Sequence, residues 1–223
     1  MDPREPGTAT RPARPAGSKL LFSGDEIAAA VDRVAGEIRT VYGDEELTVV
    51  AVLHGGLVFA ADLLRRLDMP VRLGVVLASS YRGPSTEPGE LHVQFQPQLD
   101  LRGRHVLLLD DILDTGRTLA AVRADLLARG AASIAIAVLL DKPSRRQVDV
   151  RADYRGLVVP DVFVVGYGLD FDGRWRNLPD IVALPQGGAH GAGQPAEAAA
   201  AHAVAPAQPE LGLADDEALA AES

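Results

Sequence analysis

The feature that most constrains this chain is a regular alternation between short apolar runs and segments with helical spacing. Four such runs occur, at residues 47–53, 71–80, 105–112 and 133–141. They are short, almost entirely apolar and bounded by Gly or polar residues, which predicts buried strands of a mostly parallel sheet. Residues 118–130, between the last two runs, have helical spacing and a Gly stop and predict a strand–helix–strand unit. The predicted fold class is α/β, with three layers in which helices flank the sheet.

Two further segments have the apolar spacing of amphipathic helices. In residues 23–43, apolar side chains repeat from Ile27 to Ile38 on one helix face. Ser23 stands three residues before Glu26, which is the pattern of a capping box at a helix start. The second segment, residues 57–67, follows the Gly pair that ends the first apolar run.

Composition excludes several classes of function. The 223 residues include no Cys, which rules out a disulfide framework, a thiolate metal site and a thiol nucleophile. The five His residues do not cluster at the spacing of zinc ligands. A net charge of -9 repels a phosphate backbone, so we expect no nucleic-acid binding. No apolar run reaches the roughly 18 residues of a membrane helix, and the first residues lack a secretory signal, so we expect no membrane contact and a cytoplasmic location.

The two ends of the chain differ from its middle. Residues 1–18 are rich in Pro, Gly, Thr and Arg, and residues 186–223 are dominated by Ala, Gly, Pro and acidic side chains. Neither composition supports a packed core, so we predict two disordered tails around one folded domain, residues 19–185. Deletion of residues 187–223 is expected to leave the activity of that domain intact.

Polar clusters follow all four predicted strands. They are His54–Gly55–Gly56, Ser79–Ser80–Tyr81, Asp110–Asp111 and Asp141–Lys142. Because the carboxyl ends of parallel strands lie at one edge of a sheet, we expect these clusters to converge on one ligand site.

The densest motif is VLLLDDILDTGRTL, residues 106–119. An apolar strand leads to Asp110 and Asp111, and residues 114–118 then open a helix, whose N–H groups and dipole favour a phosphate. A nucleoside-triphosphate loop would need G-x-x-x-x-G-K-[ST], which the chain lacks. Carboxylates beside a phosphate site suit a sugar phosphate, because they accept hydrogen bonds from its hydroxyls. The alternative is that the two acids merely end a strand and that Asp114 caps the next helix.

Residues 106–119 resemble the phosphoribosyl pyrophosphate motif of type I phosphoribosyltransferases: an apolar strand, two acids and then D-x-G-x-T. Residues 141–184, from DKPSRRQ to DIVAL, are similar to the purine-binding half of hypoxanthine-guanine phosphoribosyltransferases. The resemblance covers about Leu20 to Leu184 and implies the type I fold, with a small purine-binding hood and a flexible flap. It also implies purine salvage: transfer of the 5-phosphoribosyl group from phosphoribosyl pyrophosphate to hypoxanthine or guanine, giving IMP or GMP and pyrophosphate.

The same resemblance implies roles for individual residues. Asp110 and Asp111 would hold the ribose hydroxyls, and Asp114 would be the general base that accepts the proton of the purine imidazole ring. The residues that would bind the 5′-phosphate are Thr115, Gly116, Arg117 and Thr118. The family's acidic ligand of Mg²⁺ corresponds to Asp170, so the implied metal site consists of Asp170 together with Asp110 and Asp111.

Purine recognition is assigned in the same way. Lys142 would contact the purine O6 and so select a 6-oxopurine over adenine. Phe163 would stack on the base, and the backbone of Val164 would contact its edge. Two alternatives remain: Lys142 could be a solvent-exposed residue at a strand end, and Phe163 could belong to the core.

The diphosphate end of the substrate is assigned to His54, Gly55 and Arg176. Many relatives have Lys in place of His54, often after a cis peptide bond, so here a fixed cation is replaced while backbone N–H contacts remain available. Gly55 allows close approach of the main chain to the diphosphate. A purely structural His54 is the alternative.

Ser80 and Tyr81 match the start of the family's flap, which closes over the reacting centre and excludes water. The stretch from Arg82 to Asp100 is too long and polar for a tight turn. An ordinary exposed hairpin is the alternative, since residues 90–95 alternate like a strand.

Three other functions stay open at this point. Phosphoribosyltransferase folds can serve as non-catalytic regulators or sensors that bind phosphoribosyl pyrophosphate, and a xanthine-preferring enzyme would share most of these residues. The expected partners are phosphoribosyl pyrophosphate, 6-oxopurine bases and further copies of the chain, as a homodimer or homotetramer.

Overall fold

The computed structural model describes residues 11–80, 91–96 and 99–185. Strand β1 (Lys19–Phe22) leads into helix α1 (Gly24–Tyr42), and Ser23 and Glu26 form the predicted capping box, each side chain accepting a hydrogen bond from the other's N–H. The predicted apolar face of α1 is fully buried from Ile27 to Ile38. Within these described ranges, no helix is long and apolar enough to cross a membrane.

A six-stranded sheet forms the middle layer, in the order β4-β3-β2-β5-β6-β7. Its parallel strands are β2 (Leu47–Leu53), β3 (Val71–Ser80), β5 (His105–Leu113), β6 (Ser133–Asp141) and β7 (Tyr154–Val158), and β4 (Leu91–Phe95) is the antiparallel edge strand. The four apolar runs are therefore the predicted strands, and the predicted mostly parallel α/β sheet is confirmed.

Helices cover both faces of this sheet. Helices α1 and α2 (Gly56–Leu64) pack on one face, against Val49 and Ala51 of β2. Helix α3 (Arg117–Ala128) packs on the other face, with Val50 and Val52. Successive β2 side chains thus enter opposite cores, which explains why the run is apolar throughout.

The crevice for a ligand follows from the strand order. From β2 the chain proceeds to β3 on one side, whereas from β5 it proceeds to β6 on the other. The boundary between β2 and β5 is therefore the switch point at which open parallel sheets bind ligands.

A second, three-stranded antiparallel sheet forms the hood, in the order β1-β9-β8, with β8 (Val164–Val165) and β9 (Ile181–Ala183). Residues 11–18, which we expected to lack structure, contact this hood. Arg14 Nη2 lies 2.6 Å from Asp180 Oδ2 and Arg11 Nη2 lies 3.2 Å from Oδ1. Burial raises the pKa of Asp180, but hydrogen bonds from Arg14 and the Gly24 N–H outweigh it and lower that pKa. These ion pairs connect the segment to the hood, although it contains no large apolar side chain.

Strand β5 extends beyond Leu109, where its uninterrupted apolar residues end. Asp110 and Asp111, expected to follow the strand, lie inside it, because pairing with β6 continues to Leu113 and Asp141. Residues 91–95 form the strand that their alternation indicates, and β4 pairs with β3. Tyr81 and the remainder of the expected flap up to residue 90 lie outside the described residues, as does the C-terminal segment from 186.

Candidate active site

A cavity opens at the switch point between the carboxyl ends of β2 and β5, the first turn of α3 and the hood. Most of the predicted site residues line it: His54, Gly55, Asp110, Asp111, Asp114, Thr115, Gly116, Arg117, Thr118, Phe163, Val164, Asp170 and Arg176. Residues from distant parts of the sequence thus converge as predicted, while their individual roles stay predictions. Ser80 ends β3, and Tyr81 lies outside the described residues.

Asp110 and Asp111 form a closely coupled acidic pair. The Asp111 N–H donates to Asp110 Oδ1 at 2.9 Å. Burial raises the pKa of both carboxyls, and the charge of Asp111 raises that of Asp110 further. A cation or a row of ligand hydroxyls at this place would stabilise the ionised pair.

The loop after β2 lies directly against this pair. The peptide bond between Leu53 and His54 is cis. A side-chain carbon at Gly55 would overlap with the Asp111 carboxylate, so any larger residue there would displace that carboxylate. A side-chain carbon at hood residue Gly168 would likewise overlap with the Gly55 carbonyl oxygen, and its φ of +100° also favours Gly. The sequence resemblance indicated Gly55 as a diphosphate contact. It gave no sign of the close approach of Gly55 to Asp111.

The predicted phosphate-binding loop is residues 114–118. Helix α3 begins at Arg117, and its N-cap is Gly116, with φ 86° and no side-chain cap. The alternative in which Asp114 serves only as a helix cap is therefore wrong. Asp114 is 5% exposed and its Oδ1 accepts a hydrogen bond of 3.3 Å from Arg145 Nε.

The segment after Lys142 braces this loop, a function that the sequence analysis missed. Arg146 Nη1 donates to the carbonyls of Leu113 and Asp114 at 3.0 and 2.7 Å, and its Nη2 lies 2.5 Å from Asp141 Oδ1. The Gln147 N–H donates to the Thr115 carbonyl at 3.0 Å. Two further cavity residues, Arg145 and Gln147, were also missed. Their signal was the cluster SRRQ directly after the strand that ends near the site.

Lys142 is fully buried, so the alternative of a solvent-exposed lysine is wrong. Its Nζ donates to the Val162 carbonyl at 2.8 Å, next to the predicted stacking residue Phe163. Burial lowers the pKa of Lys142, opposed by the negative charge of Asp114. Lys142 does not line the cavity; its hydrogen bond to the Val162 carbonyl connects it to the hood backbone next to Phe163, which does.

Phe163 begins an aromatic chain in the hood. Its ring meets Phe171 edge-on at 5.4 Å between centroids, and Phe171 stacks on Trp175 at 6.2 Å. Phe163 is partly exposed and lines the cavity, which fits a stacking surface better than a core position.

Asp170 and Arg176 form an ion pair at the hood side of the cavity. Arg176 Nη2 lies 2.7 Å from Asp170 Oδ1, and Asp170 Oδ2 accepts from the Gly173 N–H at 2.8 Å. Arg176 Nη1 donates to the Gly168 carbonyl at 2.6 Å. This pair therefore connects Gly168, the hood residue next to Gly55, with the turn at Gly173.

Comparison with known proteins places this geometry in a family. The family model described as a phosphoribosyl transferase domain matches residues 19–172. The hypoxanthine-guanine phosphoribosyltransferase of Streptococcus pneumoniae is 39% identical over 168 residues, which are 75% of this chain and 93% of that protein. The chain belongs to the hypoxanthine-guanine phosphoribosyltransferase family. The Bacillus subtilis member is 40% identical over 166 residues, 74% of this chain and 92% of its own length.

Solved structures agree with this family assignment. A hypoxanthine phosphoribosyltransferase of Trypanosoma cruzi has a TM-score of 0.72 at 36% identity, covering 78% of this chain and 95% of that chain. A variant of the same enzyme, complexed with the product IMP, has a TM-score of 0.71 with the same coverage. The predicted type I phosphoribosyltransferase fold is thus confirmed.

Proposed function

We propose that this chain transfers the 5-phosphoribosyl group from phosphoribosyl pyrophosphate to hypoxanthine or guanine. The observation that carries the proposal is the arrangement of one cavity. The acidic pair Asp110–Asp111 and the phosphate-binding loop lie on its sheet side, and the partly exposed ring of Phe163 lies on its hood side. A sugar phosphate and a flat base would each meet the chemistry that binds them. We propose the cytoplasm as the location of this reaction.

The cavity residues also supply the elements of the transfer. An imidazole nitrogen of the base bonds to C1′ of the ribose, and the bond from C1′ to the diphosphate breaks, with its electron pair leaving on the diphosphate. Asp114 receives the proton that the imidazole ring loses. Arg176 stabilises the charge on the leaving diphosphate, and the positions of both substrates account for much of the acceleration.

A Mg²⁺ ion fits this donor set. Carboxylate oxygens are the ligands that Mg²⁺ prefers, and it usually keeps several waters and substrate oxygens. Asp110, Asp111 and Asp170 would hold it, Asp170 by exchanging part of its contact with Arg176. In the described ranges no group of three or more acidic, His or Cys side chains could hold a metal ion by itself, so in this proposal substrate oxygens complete the site. When bound, the ion would neutralise diphosphate charge.

The choice among 6-oxopurines depends on contacts at the base edge. Lys142 fixes the Val162 carbonyl, and the neighbouring Phe163 and Val164 carry the stacking surface and the backbone edge. We propose Lys142 as the residue that selects O6, with its amine close behind this backbone. Parallel rate measurements with hypoxanthine, guanine and xanthine test whether the xanthine-preferring alternative holds.

The proposed activity is tested by mixing the purified protein with phosphoribosyl pyrophosphate, Mg²⁺ and hypoxanthine or guanine. We expect release of pyrophosphate together with IMP or GMP, dependent on the base. Binding of phosphoribosyl pyrophosphate without turnover of any of the three bases would instead support the regulator or sensor.

Trp175 offers an optical test of the stacking role. It is the single Trp of the chain and lies behind Phe171 and Phe163, so a base on Phe163 should change its fluorescence. We expect GMP to shift Trp175 emission in the wild-type protein, and Phe163→Leu to weaken GMP binding by about 10-fold or more. An unchanged GMP affinity in this variant would remove Phe163 from base binding.

We propose that the chain forms at least a dimer through the outer part of its β3 face. Leu73 and Leu77 are 53% and 37% exposed and share this face, and Leu57 of α2, which is 56% exposed, lies on the same side of the sheet. Such exposed apolar side chains favour contact with a second copy. By light scattering after gel filtration, we expect Leu73→Arg to reduce the mass to that of a monomer. The matched control Leu127→Arg, at a residue 45% exposed on α3, should retain the oligomer; a wild-type monomer would refute the proposal.

A further inference from the structure

Two consecutive arginines, Arg145 and Arg146, hold opposite ends of Asp114. Arg146 binds its main-chain carbonyl at 2.7 Å from beneath the loop. Arg145, at the end of the short 3-10 helix Pro143–Arg145, lines the cavity and binds the Asp114 carboxylate, Nε to Oδ1, at 3.3 Å. The backbone and the side chain of this one aspartate are thus fixed by neighbouring residues of the same segment.

The geometry of the carboxylate contact is one-sided. Arg145 engages Oδ1, and among the described residues we find no hydrogen bond to Oδ2. The terminal torsion of an Asp side chain is soft, so a free carboxylate in a cavity samples many orientations. A bond to one oxygen limits this rotation and leaves the second oxygen for a ligand proton.

Arg145 also contacts the hood. Its Nη1 lies 3.8 Å from Asp161 Oδ1, two residues before Phe163. The guanidinium therefore lies between the loop that carries Asp114, the predicted general base, and the hood segment that carries Phe163, the predicted stacking residue. Its side chain is 36% exposed, and these two contacts hold the guanidinium in place.

We propose that Arg145 is a positioning residue that orients the Asp114 carboxylate, the group that accepts the purine proton. Its guanidinium holds the Asp114 carboxylate, through Oδ1, so that Oδ2 faces the proton of the bound imidazole ring, and its contact with Asp161 links this carboxylate to the hood. This inference rests on the proposed function and deepens it, because it assigns the residue that orients the general base Asp114. Misplacement of a reacting group by about 1 Å can lower the rate by up to about 10²-fold.

The experiment is a double-mutant cycle of Arg145→Met and Asp114→Asn, with kcat and KM measured for base and for phosphoribosyl pyrophosphate. In the wild-type background, we expect Arg145→Met to lower kcat by about 10-fold to 10²-fold and to change KM for phosphoribosyl pyrophosphate little. In the Asp114→Asn background, the same substitution should change kcat by less than about 3-fold, because no carboxylate remains at position 114 to accept the purine proton. Arg145→Lys should recover part of the lost kcat.

The matched control is Arg151→Met, in which the same change is made at a side chain that is 93% exposed. It should keep the wild-type kcat, and all variants should keep the wild-type melting temperature. An equal kcat loss from Arg145→Met in both backgrounds would show that Arg145 acts on substrate independently of Asp114 and would overturn the proposal. A raised KM for phosphoribosyl pyrophosphate at unchanged kcat would overturn it too, by assigning Arg145 to the phosphate. An inactive wild-type protein would overturn the proposed function itself, and the positioning role with it.

Discussion

Replacement of Asp114 by Asn is expected to lower kcat by about 10²- to 10⁴-fold, the usual contribution of a positioned general base. The two side chains have nearly the same shape, so the buried site at Asp114, which is 5% exposed, should accept the amide without a cavity or overlap. The amide oxygen can still accept the hydrogen bond from Arg145, but it does not take up a proton near neutral pH. The loss should therefore appear in turnover far more than in substrate affinity.

Steady-state rates at saturating base and phosphoribosyl pyrophosphate, with direct titration of both ligands, separate the two effects. Asp149→Asn is the matched control, because it makes the same change at a side chain that is 96% exposed in the same stretch of chain. We expect the control to keep wild-type turnover. If Asp114→Asn turns over at the wild-type rate, the proton has another acceptor, and the role given to Asp114 is lost.

The fold could be predicted because its information is local. The run at residues 47–53 is short and apolar throughout, which is the pattern of a strand buried on both faces. Strand β2 is indeed buried on both faces. The capping box at Ser23 depends on two residues three apart. The predicted cavity likewise follows from a rule on parallel strands, since each polar cluster lies at or near the carboxyl end of a strand.

The contacts of the site could not be predicted in the same way, because they join segments that are distant in sequence. Lys142 is exposed or buried according to whether the hood covers it, and the carbonyl of Val162, twenty positions further along, decides this. The opposite directions of Arg145 and Arg146 depend on a short 3-10 turn after β6, which two adjacent identical residues do not indicate. Asp110 and Asp111 lie inside β5 because the pairing of β5 with β6 continues beyond Leu109 to Leu113.

These long-range contacts make one small residue critical. We expect Gly55→Ala to lower kcat/KM for phosphoribosyl pyrophosphate by about 10²-fold, because the added methyl group occupies the place of the Asp111 carboxylate and displaces it. The backbone itself is no obstacle, since Gly55 has φ -59°, which Ala adopts readily. The loss should therefore come from the moved acid, and folding should be affected much less than catalysis.

Gly36→Ala in α1 is the matched control for Gly55→Ala. No atom lies within 4 Å of the added carbon there, and Ala in a helix interior is favoured over Gly by about 1 kcal/mol, so this variant should keep full activity and melt at a slightly higher temperature. Comparison of kcat/KM and melting temperature for the two variants isolates the effect of the Asp111 position. Wild-type kcat/KM in Gly55→Ala would mean that Asp111 can move without consequence, and that neither the ribose nor a metal ion depends on its present place.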